Sequence, residues 1–412
     1  MSINLSLVTQ TFRLASRNLL RQRRRVLVAL ITICGGVIAY LLAGGFIHWI
    51  FHSMREATIH AQLGHIQITR PGYFKEGISD PYNYLLPPDT EMLPVREQPG
   101  VTAVAPRLAF NGLISLNDAT VSFLGEGVDP ALEAPIAKAI TIVAGKDLTE
   151  SPPASAILGE GLAANLGASP GDVVVLLATT AEGSVNAVEV TIAGLFATST
   201  KAYDDAFMRV PIDIARSLMR VEGATSWVVL LDRTDATDSR TQALRSSLPP
   251  AAYEITPWSE LADFYNKTVE LFSRQVSVVR LLIALIVILS ISNTLSMAVI
   301  ERTTEIGTSL AIGVRRRGIL SLFIVEGALL GLAGGCIGVA AGVVLGEVIS
   351  AIGIPMPPPP GMARGFIGEI AISPALALDA FLLAFITTLI ASILPAWKAA
   401  RMNIVDALRH QR

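Results

Sequence analysis

Charge is scarce in these 412 residues: 16% are Asp, Glu, Lys or Arg, against 51% hydrophobic. With a mean hydropathy of +0.54, that balance excludes an ordinary soluble protein. Aromatics stand at 6% and no basic patch is interleaved with them, which argues against a nucleic-acid partner. There are two cysteines, Cys34 and Cys336, both inside apolar runs, so no disulfide framework serves the polar region. Both read as small buried hydrophobes. No Gly-x-x-x-x-Gly-Lys-Ser/Thr occurs, so this sequence has no P-loop to cradle ATP phosphates. Gly125-Glu126-Gly127 and Gly159-Glu160-Gly161 lack the rest of a dinucleotide fingerprint and read as turns, and no Gly-x-Ser-x-Gly elbow is present. Asn293 and Glu326 do not supply the paired groups of an intramembrane protease. For His48, His52, His60 and His65 a zinc site is the weaker reading; interfacial histidines beside Trp49 are the preferred one. The chain reads as non-enzymatic, with no metal or cofactor of its own.

What is abundant is long apolar sequence. Residues 1–25 carry Arg13, Arg17, Arg21, Arg23, Arg24 and Arg25 and no acid, and Leu5, Val8, Phe12, Ala15 and Leu19 form one helical stripe. This predicts a basic amphipathic helix along the cytoplasmic surface. Residues 26–51 form a first span, too long for the apolar core of a signal peptide. Residues 52–258 are mixed and Pro/Gly-punctuated, an external α+β domain. Strands are expected at His65–Thr69 (half-buried), Val121–Gly125, Val173–Leu177, Val188–Phe196, Ala206–Val210, Trp227–Leu231 and Tyr253–Thr256. Helices are expected at Gly161–Leu166, Ile212–Met219 and Ser239–Leu248. Residues 259–280 read as a stalk helix, 281–300 as the second span, 319–352 as the third and 376–394 as the fourth. The segment 353–375, with Pro355, Pro357, Pro358, Pro359 and Pro360, is a stiff external loop. Pro395 ends the last span, and 395–412 is a cytoplasmic tail. Basic residues before the first span, at Arg315–Arg317 and after Lys398 place both termini in the cytoplasm.

Within the third span Gly334, Gly338, Gly342 and Gly346 fall four apart, a face that admits another helix closely. Glycine costs a helix interior roughly 1 kcal/mol relative to Ala, so the register argues for packing. Glu326 is an intramembrane carboxylate, either functional or paired with a basic residue at the interface. Ser290, Ser292, Asn293, Thr294 and Ser296 in the second span are expected to face protein. Leu271, Phe272, Val276 and Val279 keep the stalk apolar beside Arg274 and Arg280, a surface that could receive an acyl chain with its cations at headgroup level.

The segment 301–318 lies between two spans. Ile306, Leu310 and Val314 fall four apart, Glu301, Arg302 and Glu305 stand at its start, and Arg315, Arg316 and Arg317 crowd its end, where positive charge suits a helix C-terminus. A loop that only fixes topology is the plainer reading. The order Glu301-Arg302-x-x-Glu305-Ile306-Gly307, then Ala311-Ile312-Gly313 and the arginines, resembles the coupling segment of FtsX-like ABC permeases, the group of MacB exporters and lipoprotein-releasing permeases. Pro395-Ala396-x-x-Ala399-Ala400-Arg401 before Val405-x-Ala407-Leu408 resembles that group's ending. The resemblance implies four spans, an external domain with a subdomain inserted at about 150–210, and mechanical transmission of ATPase closure. It implies an ABC ATPase dimer carrying ATP and Mg, gripping Glu301, Arg302, Glu305, Ile306, Leu310, Gly313, Arg315 and Arg316. It also implies a second permease copy or homologue, membrane lipids, and a periplasmic carrier or adaptor as partners, in a bacterial inner membrane. Lipoprotein or lipid release is the expected task. A MacB-like exporter and an FtsX-like activator of a cell-wall hydrolase are the alternatives. The short lead of residues 1–25 is expected to leave no room for a fused ATPase.

Overall fold

The computed structural model describes residues 5–78, 80–87, 89–198, 200–357 and 365–403. Pro358, Pro359, Pro360 and the tail motif Val405–Leu408 lie outside the described residues, as do the side chains of Leu5 and Val8. In chain order the longer helices are α1 (Leu5–Arg21), α2 (Arg23–Thr58), α3 (Glu160–Leu166), α4 (Ile212–Met219) and α5 (Thr237–Ser247). They are followed by α6 (Asp263–Glu301), α7 (Thr303–Ala311), α8 (Arg316–Ile352) and α9 (Pro374–Ala400). Four of these, α2, α6, α8 and α9, are long and apolar enough to cross a membrane. Two compact units result, with boundaries inside α2 and α6 and on either side of the segment 356–366, which belongs with the second unit.

The helical unit has a core of Ile33, Val37 and Leu41 from α2, Val287, Ile291 and Leu295 from α6, Leu330 from α8, and Ala380 and Ala384 from α9. Small residues on α9 let its backbone approach α8 closely. The stalk and second span are one helix from Asp263, whereas Trp258–Leu261 forms a separate short turn broken off at Ala262 (φ −86, ψ 58), and the fourth helix also differs from expectation. It starts at Pro374, whose missing N–H costs nothing at a first turn, with Ser373 accepting from the Leu376 N–H (3.2 Å). It does not end at Pro395 but runs through that residue to Ala400. Pro395 is buried, and Ala396 and Ala399 beyond it pack against Phe323, so tertiary contact outweighs the lost backbone bond.

The external unit is built on a ten-stranded sheet: β1 (Ile66–Thr69), β2 (Val101–Leu116), β3 (Ala119–Val128), β4 (Thr141–Gly145), β5 (Ser155–Gly159), β6 (Val173–Thr179), β7 (Val185–Ala197), β8 (Phe207–Pro211), β9 (Ser226–Leu231) and β10 (Glu254–Pro257). Its order is β10-β1-β9-β2-β3-β8-β5-β7-β4, with β6 pairing β2 and β7. Strands β3 to β8 all lie in sequence between the neighbours β2 and β9, so the expected insertion at 150–210 covers only part of that excursion. β1 is buried along its whole length rather than half-buried, because Ile66 and Ile68 enter one core while the other face is covered as well. As expected, β6 returns antiparallel as β7, and Gly167 closes α3 in the left-handed region (φ 73).

Candidate functional site

Helix α6 stops at Glu301. Arg302 leaves helical geometry (φ −100, ψ 14), and α7 follows for nine residues. Gly313 then adopts φ +104, a conformation that strains any residue with a Cβ, and the chain turns into α8. Ile306 is 4% exposed and packs, with Leu310 half-buried beside it, on Val299, Ile319, Phe323, Ala396 and Ala399 of its own bundle. Val314 does not share that face, because α7 ends at Ala311. What α7 and its turn present outward is Glu305 (55% of its side chain exposed), Thr308, Ala311, Ile312 (80% exposed), Gly313 and Val314 (44%). The arginines also differ from expectation: Arg315 caps the start of α8 and Arg316 and Arg317 open it. Positive charge at a helix N-terminus is unfavourable, so helix stability does not account for the cluster.

The segment is pinned by charge. Arg302 donates from Nη1 to Glu326 Oε1 (3.0 Å) and from Nε to Glu305 Oε2 (3.4 Å), and its guanidinium lies 5.5 Å from the Phe323 ring centroid. Asn18 of α1 donates to the same Glu326 oxygen (2.8 Å). Arg21 reaches Glu305 (3.4 Å) and Arg25 pairs with Glu301. Of the two readings of Glu326, pairing holds: its carboxylate is the buried anchor of Arg302. Asn18 and Phe323 gave no signal in the sequence.

A second polar contact joins the helices further along. Tyr40 donates to Asp379 Oδ2 (2.6 Å), and Arg280 Nη2 to Asp379 Oδ1 (2.9 Å). Asp379 escaped notice, although a carboxylate inside an apolar run is a signal in itself. Arg274 pairs with Glu270 on its own helix (2.5 Å). The stalk residues do not converge: Leu271 is 57% exposed, Phe272 meets Phe51 edge-to-face (6.3 Å), Val276 is half-buried and Arg280 is tied to Asp379. Ser290 faces α2, its hydroxyl 3.5 Å from that of Thr32.

The glycine face packs within this chain. A Cβ on Gly334 would meet Ile33 at 2.8 Å, on Gly338 Val37 at 2.8 Å, on Gly342 Leu41 at 2.7 Å and on Gly346 Ile372 at 2.8 Å. A second face that the sequence reading did not separate, Gly327, Gly331 and Gly335, meets Ser392, Thr388 and Phe381 of α9.

The external unit groups two buried arginines with the buried Glu133 and the partly exposed Glu126. Arg107 holds Glu133 through Nε (3.3 Å) and Nη2 (2.5 Å), and Arg209 holds Glu126 through Nε (2.9 Å) and Nη2 (2.8 Å). Both arginines also donate to carbonyls of the π-helical turn Ile59–Leu63: Arg209 to Ala61 (3.1 Å) and Arg107 to Gln62. Burial alone would raise the Glu126 pKa, but Arg209 and Arg107 outweigh it and hold the carboxyl below its usual range. Nearby, His65 Nδ1 accepts from the Leu231 N–H (3.1 Å). Its Nε2 therefore carries the proton toward Thr234 Oγ1 (3.0 Å), which donates to Glu56 (3.2 Å). Burial first, then His60, pushes the His65 pKa down to about 4. Among the described residues no three His, Cys, Asp or Glu side chains are grouped to hold a metal.

Two family models match: the MacB-like periplasmic core domain over residues 26–247 and the FtsX-like permease C-terminal over residues 277–404. Among curated relatives, an uncharacterized ABC transporter permease of Methanocaldococcus jannaschii is 27% identical over 212 residues, covering 50% of this chain and 51% of its own length. The lipoprotein-releasing system transmembrane protein LolC of Xylella fastidiosa is 28% identical over 275 residues, covering 62% and 64%. The macrolide export ATP-binding/permease protein MacB of Haemophilus ducreyi is 30% identical over 150 residues, covering 35% and 19%. The chain thus matches less than two thirds of each relative's length. Among solved structures, the periplasmic region of MacB from Actinobacillus actinomycetemcomitans aligns over 50% of this chain and 94% of its own, at 13% identity and a TM-score of 0.36.

Proposed function

Because this chain belongs to the family of FtsX-like permeases with a MacB-like periplasmic core domain, we propose that it is the membrane subunit of an ABC transporter, driven by an ATPase that grips the α7 turn. The observation that carries this is the exposed apolar tip Ile312-Gly313-Val314 on a segment fixed to its own bundle by Ile306 and by the Arg302–Glu326 pair. A tip that protrudes while its base is pinned can pass a push into α6 and α8 rather than dissipate it. Glu301, Arg302 and Glu305 then serve to hold the segment, while Arg315 and Arg316 stand beside the tip where an acidic partner surface would meet them. These 412 residues carry no P-loop, so ATP and Mg belong to the ATPase. The basic ends and the Arg315–Arg317 cluster support cytoplasmic termini in a bacterial inner membrane.

For the task, release of lipoprotein or lipid is the reading we adopt. It is supported by the LolC relative's 62% coverage of this chain and by the apolar exposure of α6 at Leu271, Val278, Leu281, Leu282 and Leu285. Such a surface suits an acyl chain better than a soluble cargo. A second permease copy would frame the opening, and a carrier would take the cargo. The test is copurification: Val314→Asp is expected to lose the ATPase while inserting normally. Full recovery of ATPase with Val314→Asp would remove the proposal.

A further inference from the structure

A cleft of about 470 Å3 opens on the sheet face that carries the buried arginines. Its floor crosses five neighbouring strands, β1, β9, β2, β3 and β8, which supply Gln67, Ser226, Arg107, Glu126 and Phe207. One wall is the turn Tyr73–Gly77, with Tyr73 and Phe74 edge-to-face at 5.3 Å and Ile78 beyond them 66% exposed. The other is Tyr203 stacked on Phe207, ring centroids 4.0 Å apart. The walls are aromatic and the floor is polar.

Three oxygens on that floor take no hydrogen bond among the described residues. Glu126 Oε2 accepts from Tyr203 (3.1 Å) and from Arg209, whereas Oε1 has only Arg107 Nη1 at 3.9 Å, beyond hydrogen-bond reach. Gln67 commits its NH2 to Leu63 O (3.1 Å), leaving Oε1, and Ser226 Oγ bonds to nothing. Glu126 keeps 15% of its side chain exposed, and Gln67 and Ser226, at 8% and 7%, lie at the base of the cleft. With Arg107 and Arg209 balancing Glu126 and Glu133, the floor is neutral in sum but presents acceptors. An occupant must therefore bring N–H or O–H groups. All five strands are paired on both sides, so no edge is free for a peptide to add as a strand. Discrete acceptors between aromatic walls suit a small molecule, and the volume falls within the range of about 300–1,000 Å3 usual for such sites.

We propose that this cleft binds a small amphipathic molecule whose amine is received by Glu126 Oε1 and whose second N–H or O–H group is received by Ser226 Oγ, two strands away, while its apolar body lies between the aromatic walls. Arg107 and Gln62 both line the cleft and bond to each other, so occupancy bears directly on the turn that follows α2. The site stands independently of the coupling reading.

The test is calorimetric titration of the full chain in lipid nanodiscs with tryptamine, using 3-ethylindole as the same ring system without the amine. Tryptamine is expected to bind saturably at one site per chain, and 3-ethylindole about tenfold more weakly, since a charge-assisted hydrogen bond is lost. Ala109→Phe fills the floor beside Glu126, its cross-strand partner, and should abolish binding. Ser226→Ala removes one oxygen without changing the packing and should weaken binding several-fold. Absence of saturable binding, equal binding of 3-ethylindole, or unchanged affinity in Ser226→Ala would each overturn the proposal.

Discussion

Arg302 and Glu326 are 24 residues apart in sequence and 3.0 Å apart in space, the cation from the junction of α6 and α7 and the carboxylate buried in α8 with 4% of its side chain exposed. A buried ion pair is costly to break from one side, because the remaining charge loses its partner in a low dielectric. Arg302→Ala should destabilise the helical unit by roughly 3 kcal/mol, while Arg302→Met with Glu326→Leu should recover most of it. Thermal unfolding of the chain in nanodiscs reads this. Equal melting of Arg302→Ala and wild type would show that the pair carries nothing.

The glycine face makes a graded prediction. At Gly338 a methyl meets Val37 Cβ at 2.8 Å and the Cys34 Cα at 3.1 Å, the latter backbone that cannot step aside. At Gly346 the nearest atom is the flexible end of Ile372. Gly338→Ala should therefore cost about 1–3 kcal/mol and Gly346→Ala distinctly less. Melting of the two variants side by side checks the order, and a reversed order contradicts the packing described.

His65 sets a pH dependence. Its folded pKa, about 4, lies below the unfolded value near 6.5, so the unfolded chain binds the proton first. Stability is full above the unfolded value and falls as pH drops through the window toward 4, by at most about 2 kcal/mol between pH 6.5 and 5. Protonation of Nδ1 also breaks the bond from the Leu231 N–H. The slope of stability against pH should be shallower in His65→Gln than in wild type. Parallel slopes would exclude His65 as the source.

Arg280 and Asp379 give a swap test. Arg280→Asp should lower the melting temperature by placing two carboxylates together beside Tyr40, and Arg280→Asp with Asp379→Arg should restore much of it. A double variant no better than the single one would mean that the contact does not hold α6 to α9.

The four spanning helices were legible because length and apolarity alone decide them, and α6 was read as one helix through its stalk. The turn after Ala311 was not, since nothing in the spacing of Ile306, Leu310 and Val314 shows that Gly313 takes a left-handed conformation and restarts the helix. That one glycine moves Val314 and the three arginines off the expected face and helix end. Strand β2 was missed for a related reason: Pro106, Asn111 and Gly112 interrupt its alternation. Gly112 is required there because the Leu177 backbone of β6 comes too close for any side chain. The buried charges of Arg107 and Arg209 gave no signal in the sequence, because their partners Glu133 and Glu126 lie on other elements; Gly125-Glu126-Gly127, which reads as a turn, is part of β3. In the segment 301–318 the sequence did not show which residues face outward, since Ile306 points into the protein's own bundle.

In the proposed coupling, the Ile312–Val314 tip is the surface the ATPase grips. A photo-crosslinking residue placed at Ile312 or at Ile306 in native membranes, with adducts identified by mass spectrometry, tests it most directly. A P-loop ATPase is expected from Ile312, and from Ile306 only intramolecular adducts with neighbours such as Phe323. Capture of the ATPase from Ile306 but not from Ile312 would contradict it.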